Sequence, residues 1–241
     1  MTLSLPEKIE IKLAFVSEDT AKAFAILGLT DPPKEERRIH FFDTGNLALF
    51  DRGLILRVRQ TVVGDDVDDA TLKVRGPFAP NAASRFLAIA GAAAKFEGDQ
   101  NVGREELPSF SITTEPGSEV VAAAVADPQK VESVLNAASQ TLLHEIRGAE
   151  GDSTQIICLG PIRSRIWKLE PDGFVGKITA ELWDVAGVQL LEISDKAPRV
   201  EASALAVQLK KLVPEAKARQ LDTSKTRFAL QSIRPQSSTG E

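Results

Sequence analysis

Charged and apolar residues alternate from Glu7 to Phe15, the period of a strand with one face in water. Side chains of a strand point to opposite faces in turn. Lys8, Glu10 and Lys12 therefore share one face, and Ile9, Ile11 and Leu13 share the other. The pattern returns from Leu54 to Val62, where Arg57 and Arg59 oppose Leu56 and Val58. It returns again from Ala70 to Arg75, where Lys73 and Arg75 oppose Leu72 and Val74. An acidic turn, Gly64 to Asp69, joins these two segments as a hairpin. Lys95, Glu97 and Asp99 repeat the scheme from Lys95 to Val102, and so do Arg163 and Arg165. Further strands are predicted at Ile39 to Phe42, Thr154 to Leu159, Ser164 to Leu169, Gly176 to Asp184 and Gln189 to Ser194.

Helical spacing is rarer. Ser17 is placed to cap a short helix through Leu27, with Phe24 and Leu27 on one face. Leu47 to Leu49 reads as a helical turn and Ala79 to Ala94 as a helix. Asp127 and Pro128 open another, whose face is Val131, Val134, Leu135, Ala138 and Leu142. Ala202, Leu205, Leu209 and Leu212 mark the last amphipathic helix. Many strands and few helices predict an α+β domain of mostly antiparallel strands, closed into a barrel. One domain over residues 1–231 is expected, followed by a polar, disordered tail over 232–241 whose end is Gln236 to Glu241.

Composition narrows the chemistry. Apolar residues make up 43% of the 241 residues, an ordinary globular share. A single cysteine, Cys158, cannot build a disulfide framework or a zinc site, which points to a reducing, cytoplasmic setting. Met1 to Ile11 lacks the basic-then-apolar signature of a signal peptide, and no apolar run approaches the roughly 20 residues of a membrane span. A net charge of −5 argues against a general nucleic-acid or anionic-membrane surface. His40 and His144 stand alone, without a metal-ligand partner at useful spacing. Asp65, Asp66, Asp68 and Asp69 lack the glycine and distal glutamate of a calcium loop and read as a solvated turn. There is no phosphate-cradling glycine loop and no nucleophile elbow.

The strand charges change the picture. A wet sheet face explains alternation but not the repeated choice of arginine and lysine. Like charges on one face repel and call for a compensating anion. Arginine suits bidentate phosphate contact, and the interspersed carboxylates suit Mg2+ or Mn2+. A barrel lined this way is a site for a polyanion with a metal.

These segments resemble the CYTH superfamily, the triphosphate tunnel metalloenzymes. The family's opening Glu-x-Glu-x-Lys is matched by Lys8-Ile9-Glu10-Ile11-Lys12, with Lys8 in place of the first carboxylate. The next block is matched by Phe41-Phe42-Asp43-Thr44, Leu47-Ala48-Leu49, then Gly53-Leu54-Ile55-Leu56-Arg57-Val58-Arg59. Thr71-Leu72-Lys73, Lys95-Phe96-Glu97-Gly98-Asp99, Arg165 with Trp167, and Ser224-Lys225 follow in the family's order.

The resemblance implies an eight-stranded antiparallel tunnel and metal-dependent hydrolysis of triphosphates, inorganic triphosphate among them. It assigns Lys12, Arg57, Arg59, Lys73, Lys95, Arg165 and Lys225 to the phosphates, and the strand alternation adds Arg75 and Arg163. Glu10, Glu97, Asp99, Asp184 and Glu192 become metal ligands for Mg2+ or Mn2+, and Lys12, Arg57, Arg59 and Glu97 the catalytic set. The acidic half departs from the pattern. Leu190 and Ser194 flank a lone Glu192 where three carboxylates are expected, and Glu181 is out of phase with Asp184. Family members often continue into a helical domain called CHAD, for which this chain is too short. Two alternatives remain at this point: a non-catalytic polyphosphate- or nucleotide-binding module, and an adenylate cyclase.

Overall fold

A computed structural model of the chain describes residues 5–16, 18–29, 32–151, 155–213, 221 and 223–235. Nine strands are present: β1 (Lys8–Val16), β2 (Glu35–Thr44), β3 (Leu54–Val63), β4 (Asp69–Arg75), β5 (Ala94–Asn101), β6 (Leu107–Thr114), β7 (Ile156–Leu169), β8 (Ile178–Val185) and β9 (Val188–Pro198). They close into one barrel in the order β1-β5-β6-β4-β3-β2-β7-β8-β9. The expected eight antiparallel strands are thus corrected to nine in a mixed sheet. β1 runs parallel to β5, with Glu10 opposite Asp99, and antiparallel to β9.

Two strand assignments also differ from the sequence reading, each for a local reason. In β6 the inward positions are Ser109, Ser111 and Thr113, small polar groups that give no charge alternation to read. The two strands expected between Thr154 and Leu169 are one, β7, running through Gly160 and Pro161; Thr154 itself lies outside the described residues. Gly160 sits where β2 and β7 shift register. Its φ is +123°, and a Cβ there would lie 2.7 Å from the Ile39 carbonyl oxygen.

The core lies mostly outside the barrel wall. Leu54, Leu56, Val58, Leu72, Val74, Phe110 and Ile112 point outward and are covered by α3 (Ala79–Ala90), α4 (Ser118–Ala126) and α5 (Ala137–Gly151). On the opposite wall Ile9, Ile11, Ile178, Leu182 and Ile193 meet α1 (Glu18–Ile26) and α6 (Ala202–Leu212). Each such side chain taken from water contributes about 1.5–3 kcal/mol. A third cluster fills one end of the lumen. Ile39, Phe41, Ile55, Trp183 and Leu190 pack there against Phe50 of α2 (Ala48–Asp51) and Ala229 and Leu230 of α7 (Lys225–Ile233).

The helix expected after Asp127 is two pieces. Asp127 caps a 3-10 segment, Pro128–Val134, and Asn136 opens α5 by accepting from the Ser139 N–H at 2.9 Å. Ala79 to Ala94 forms α3 only as far as Ala90. The expected cap Ser17 and the tail Gln236 to Glu241 lie outside the described residues. Asp43, from the strongest family block, is structural. Its carboxylate accepts from the N–H groups of Thr44, Leu49 and Phe50 at 2.7, 2.9 and 2.9 Å, which pins α2 to β2. Among the described residues no helix is long and apolar enough to cross a membrane.

Candidate functional site

The polar part of the lumen encloses a cavity of about 430 Å3. Inward parity puts Glu10 and Lys12 of β1, Arg57 and Arg59 of β3, Lys73 and Arg75 of β4, and Lys95, Glu97 and Asp99 of β5 on its wall. Glu192 of β9 and Lys225 of α7 lie on it as well.

Asp99 is the hub. Lys12 and Lys73 donate to its two oxygens at 2.9 Å each, and Arg75 reaches it at 2.7 Å. Burial alone raises its carboxyl, but Arg75, Lys12 and Lys73 outweigh that and hold it well below the usual carboxylate range. Lys12 also lies 2.9 Å from Glu10, whose pKa falls to about 2 because Lys12 and Lys73 overcome the cost of burial. The two lysines on Asp99 diverge for a physical reason. Burial lowers both. Lys12 has Asp99, Glu10 and Glu192 around it and is raised, whereas Lys73 shares one carboxylate with Arg75 and Lys12 and is lowered to about 8.

Arg57 is different. Among the described residues it forms no ion pair, and its buried Nε has no hydrogen-bond partner. Burial and the neighbouring Arg59 guanidinium lower it to about 10, against the weaker pull of Asp69 and Glu181. Arg59 itself pairs with Asp69 at 2.8 Å.

A second charged group joins β8, β9 and α7. Glu181 and Glu192 face each other across the two strands, and Lys225 Nζ lies between them at 2.5 and 3.0 Å. The same ammonium sits 4.2 Å from the centroid of the Trp183 ring. Glu97 pairs with Lys196 at 2.7 Å, and Lys95 is exposed at the cavity edge.

Three expected residues turn away from the lumen. In β7 it is Ser164, Ile166 and Lys168 that face inward, so Arg163 and Arg165 lie on the outer wall. Arg163 there meets Glu36 at 2.8 Å and Arg165 meets Asp184 at 3.6 Å. Asp184 is outward because Glu181 and Trp183 hold the inward parity of β8. Lys8 is exposed and does not line the cavity. Missed by the sequence reading were Glu35 and Arg37 of β2. Arg37 is buried against Glu35, Asp66 and Asp69, at 2.8 Å from Glu35. The run Glu35-Glu36-Arg37-Arg38 places charge on both faces and so hides the alternation.

Hard carboxylate oxygens are the donors that Mg2+ or Mn2+ prefer. Among the described residues, however, no three such side chains are grouped to hold an ion, and Glu10, Glu97 and Glu192 do not converge. Glu10 and Asp99 are both in contact with Lys12. On the outer wall, His40 Nδ1 lies 3.5 Å from Cys158 Sγ and Nε2 lies 3.1 Å from Gln60 Oε1. Burial raises the Cys158 thiol to about 11.

No protein-family model matches the sequence, and no curated protein matches it. Solved structures do. A provisional adenylyl cyclase from Hippeastrum with a dominant triphosphatase activity aligns at TM-score 0.61 and 17% identity, over 94% of this chain and 96% of that one. A provisional adenylate cyclase from Bacillus halodurans aligns at TM-score 0.59 and 14% identity, over 95% of this chain and 99% of that one. At such identities the likeness is one of fold. It is a closed barrel with flanking helices, the tunnel class that the ordered motifs had implied.

Proposed function

We propose that the lumen binds a triphosphate, inorganic or organic, and hydrolyses its terminal phosphoanhydride bond. The charge of the wall carries this reading. Among the described residues, ten lysine and arginine side chains line the cavity against seven carboxylates, and Arg57 has no ion-pair partner there. A cavity with surplus fixed cations binds a polyanion, and guanidinium groups match phosphate oxygens in pairs.

In the reaction, water oxygen bonds to the terminal phosphorus as the bridging P–O bond breaks, releasing orthophosphate and a shortened chain. Such a transfer needs in-line placement and neutralised charge more than covalent help. Lys12, Arg57, Arg59 and Arg75 supply fixed positive charge around the phosphates from a wall that needs no reorganisation. Glu97, at the cavity edge with Lys196, is the group assigned to orient the attacking water. Glu10 and Asp99 would hold a divalent ion, Mg2+ or Mn2+. Two carboxylates suffice for such an ion when phosphate oxygens and waters fill its other positions. When bound, the ion neutralises charge on the phosphate oxygens. The triphosphatase activity of the Hippeastrum protein supports hydrolysis over cyclisation. A reducing cytoplasm is the setting this reading assigns, supported by the single Cys158.

A second reading, a polyphosphate-binding module without catalysis, is favoured by one observation. Glu10, Asp99, Glu97, Glu181 and Glu192 are all engaged by lysine. One experiment separates the two: phosphate release from tripolyphosphate with Mg2+, with Mn2+ and with chelator, on the parent and on Glu97→Gln. Metal-stimulated release lost in Glu97→Gln supports the triphosphatase. Tripolyphosphate binding that chelator leaves unchanged, with no release under either ion, supports the binding module.

A further inference from the structure

We propose that Glu181 is a positioning residue: it holds α7 against the barrel and fixes Lys225 at the cavity, so that Lys225 meets the polyphosphate. The inference rests on the triphosphate reading for the ligand and on geometry for the anchor.

Three donors converge on the one carboxylate. Ser164 Oγ of β7 and the Trp183 indole N–H of β8 donate to Oε1 at 2.7 and 2.8 Å, and Lys225 Nζ donates to Oε2 at 2.5 Å. That fills three of its roughly four acceptor sites, which leaves little capacity for any other partner. Ser164 is fully buried and Trp183 nearly so, so the carboxylate is set by two side chains that have no room to move. The rest of α7 is held differently. Ala229 and Leu230 bury in the apolar plug, and Arg227 stacks on the Phe50 ring at 4.7 Å. Lys225 is the charged tie between α7 and the lumen wall. Burial would push the Glu181 carboxyl up. Lys225 and the other donors outweigh it and keep the group ionised, so the tie persists across ordinary pH.

The sign of one substitution separates positioning from plain charge. Glu181 is an anion beside a site for polyanions, and removing an anionic bystander strengthens polyanion binding. Removing a positioning group weakens it. Glu181→Gln keeps the length of the side chain and an oxygen for Ser164, but no longer attracts the ammonium.

The test is a double-mutant cycle with tripolyphosphate, read by calorimetry on the parent, Glu181→Gln, Lys225→Met and the pair. Glu181→Gln is expected to weaken binding about tenfold, and to change it less than twofold once Lys225 is Met. Trp183→Phe, which loses one donor and keeps the ring, should weaken binding about threefold and guards against a misfolded Gln variant. Hydrogen exchange without ligand is the second readout, with faster exchange expected across Lys225–Ile233 in Glu181→Gln. Tighter binding in Glu181→Gln, equal effects in both Lys225 backgrounds, or unchanged exchange in α7 would overturn the assignment. A parent that fails to bind tripolyphosphate would sink the triphosphate reading instead, while the exchange measurement still decides the anchor.

Discussion

Replacing Arg57 by Met is expected to stabilise the free protein and to weaken its hold on triphosphate. Arg57 is a buried cation with no ion-pair partner among the described residues, and burial with Arg59 lowers its pKa from the ordinary guanidinium value to about 10. That difference corresponds to about 3 kcal/mol of unfavourable free energy in the charged native state, an upper figure because water in the cavity relieves part of it. Met keeps the apolar stem and removes the charge, so a gain of about 1–2 kcal/mol is expected. For a domain of this size it appears as a melting temperature roughly 2–8 °C higher. The pH dependence follows from the sign of the shift. Below about 10 both native and unfolded chains carry the proton, so the penalty is complete at neutral pH. The gap between Arg57→Met and the parent is therefore expected to hold at neutral pH and to narrow only as the pH rises past about 10. In the complex the charge has its partner. Losing one charge-assisted hydrogen bond, about 1.5–3 kcal/mol, should weaken tripolyphosphate binding roughly 10- to 100-fold. Scanning calorimetry without ligand and titration calorimetry with it read the two effects separately. A variant that melts below the parent, or binds tripolyphosphate as tightly, refutes the reasoning.

Three other outcomes test parts of the structure away from the ligand. Asp43→Ala removes the acceptor for three backbone N–H groups and should cost about 2 kcal/mol, seen as a lower denaturation midpoint. Gly53→Ala should cost at least as much, roughly 2–4 kcal/mol, because φ is +80° and the new Cβ would lie 2.8 Å from the Arg75 carbonyl oxygen. A Gly53→Ala protein as stable as the parent would mean that the β3–β4 edge is placed wrongly. Cys158, raised from 9.0 to about 11, should be alkylated at pH 8 roughly a hundredfold more slowly than a free cysteine, with the difference abolished in denaturant.

The charged strands were legible because their code is local. In β1, β3, β4 and β5 the apolar parity packs outward against helices and the charged parity faces the lumen, so alternation alone found Lys12, Arg57, Lys73 and Asp99. Alternation does not say which face is inside, and β7 shows the cost. Its outer wall at Arg163 is open to solvent, so charges on that parity are wet, while Ser164 and Ile166 take the lumen. Asp184 failed on the same ground, and the parity that excluded it had already marked Glu181. β6 and α7 were missed for want of signal: Ser109, Ser111 and Thr113 carry no charge, and α7 is nine residues with few apolar positions. The pairing of Lys12 with both Glu10 and Asp99 joins two strands far apart in sequence, which no local pattern encodes.

β1 is hydrogen-bonded to β5 on one side and to β9 on the other, with Lys8 opposite Pro198. The barrel therefore cannot close during synthesis until β9 has left the ribosome, the kind of long-range pairing that is slow to form. A sheet formed before that closure would be open, with Arg57, Lys73, Arg75 and Asp99 on its inner face. Inward-pointing charges are one means by which sheets avoid sticking edge to edge. Under the triphosphate reading, the cations proposed to hold a phosphate chain are also charges of the kind that discourage such pairing between unfinished copies.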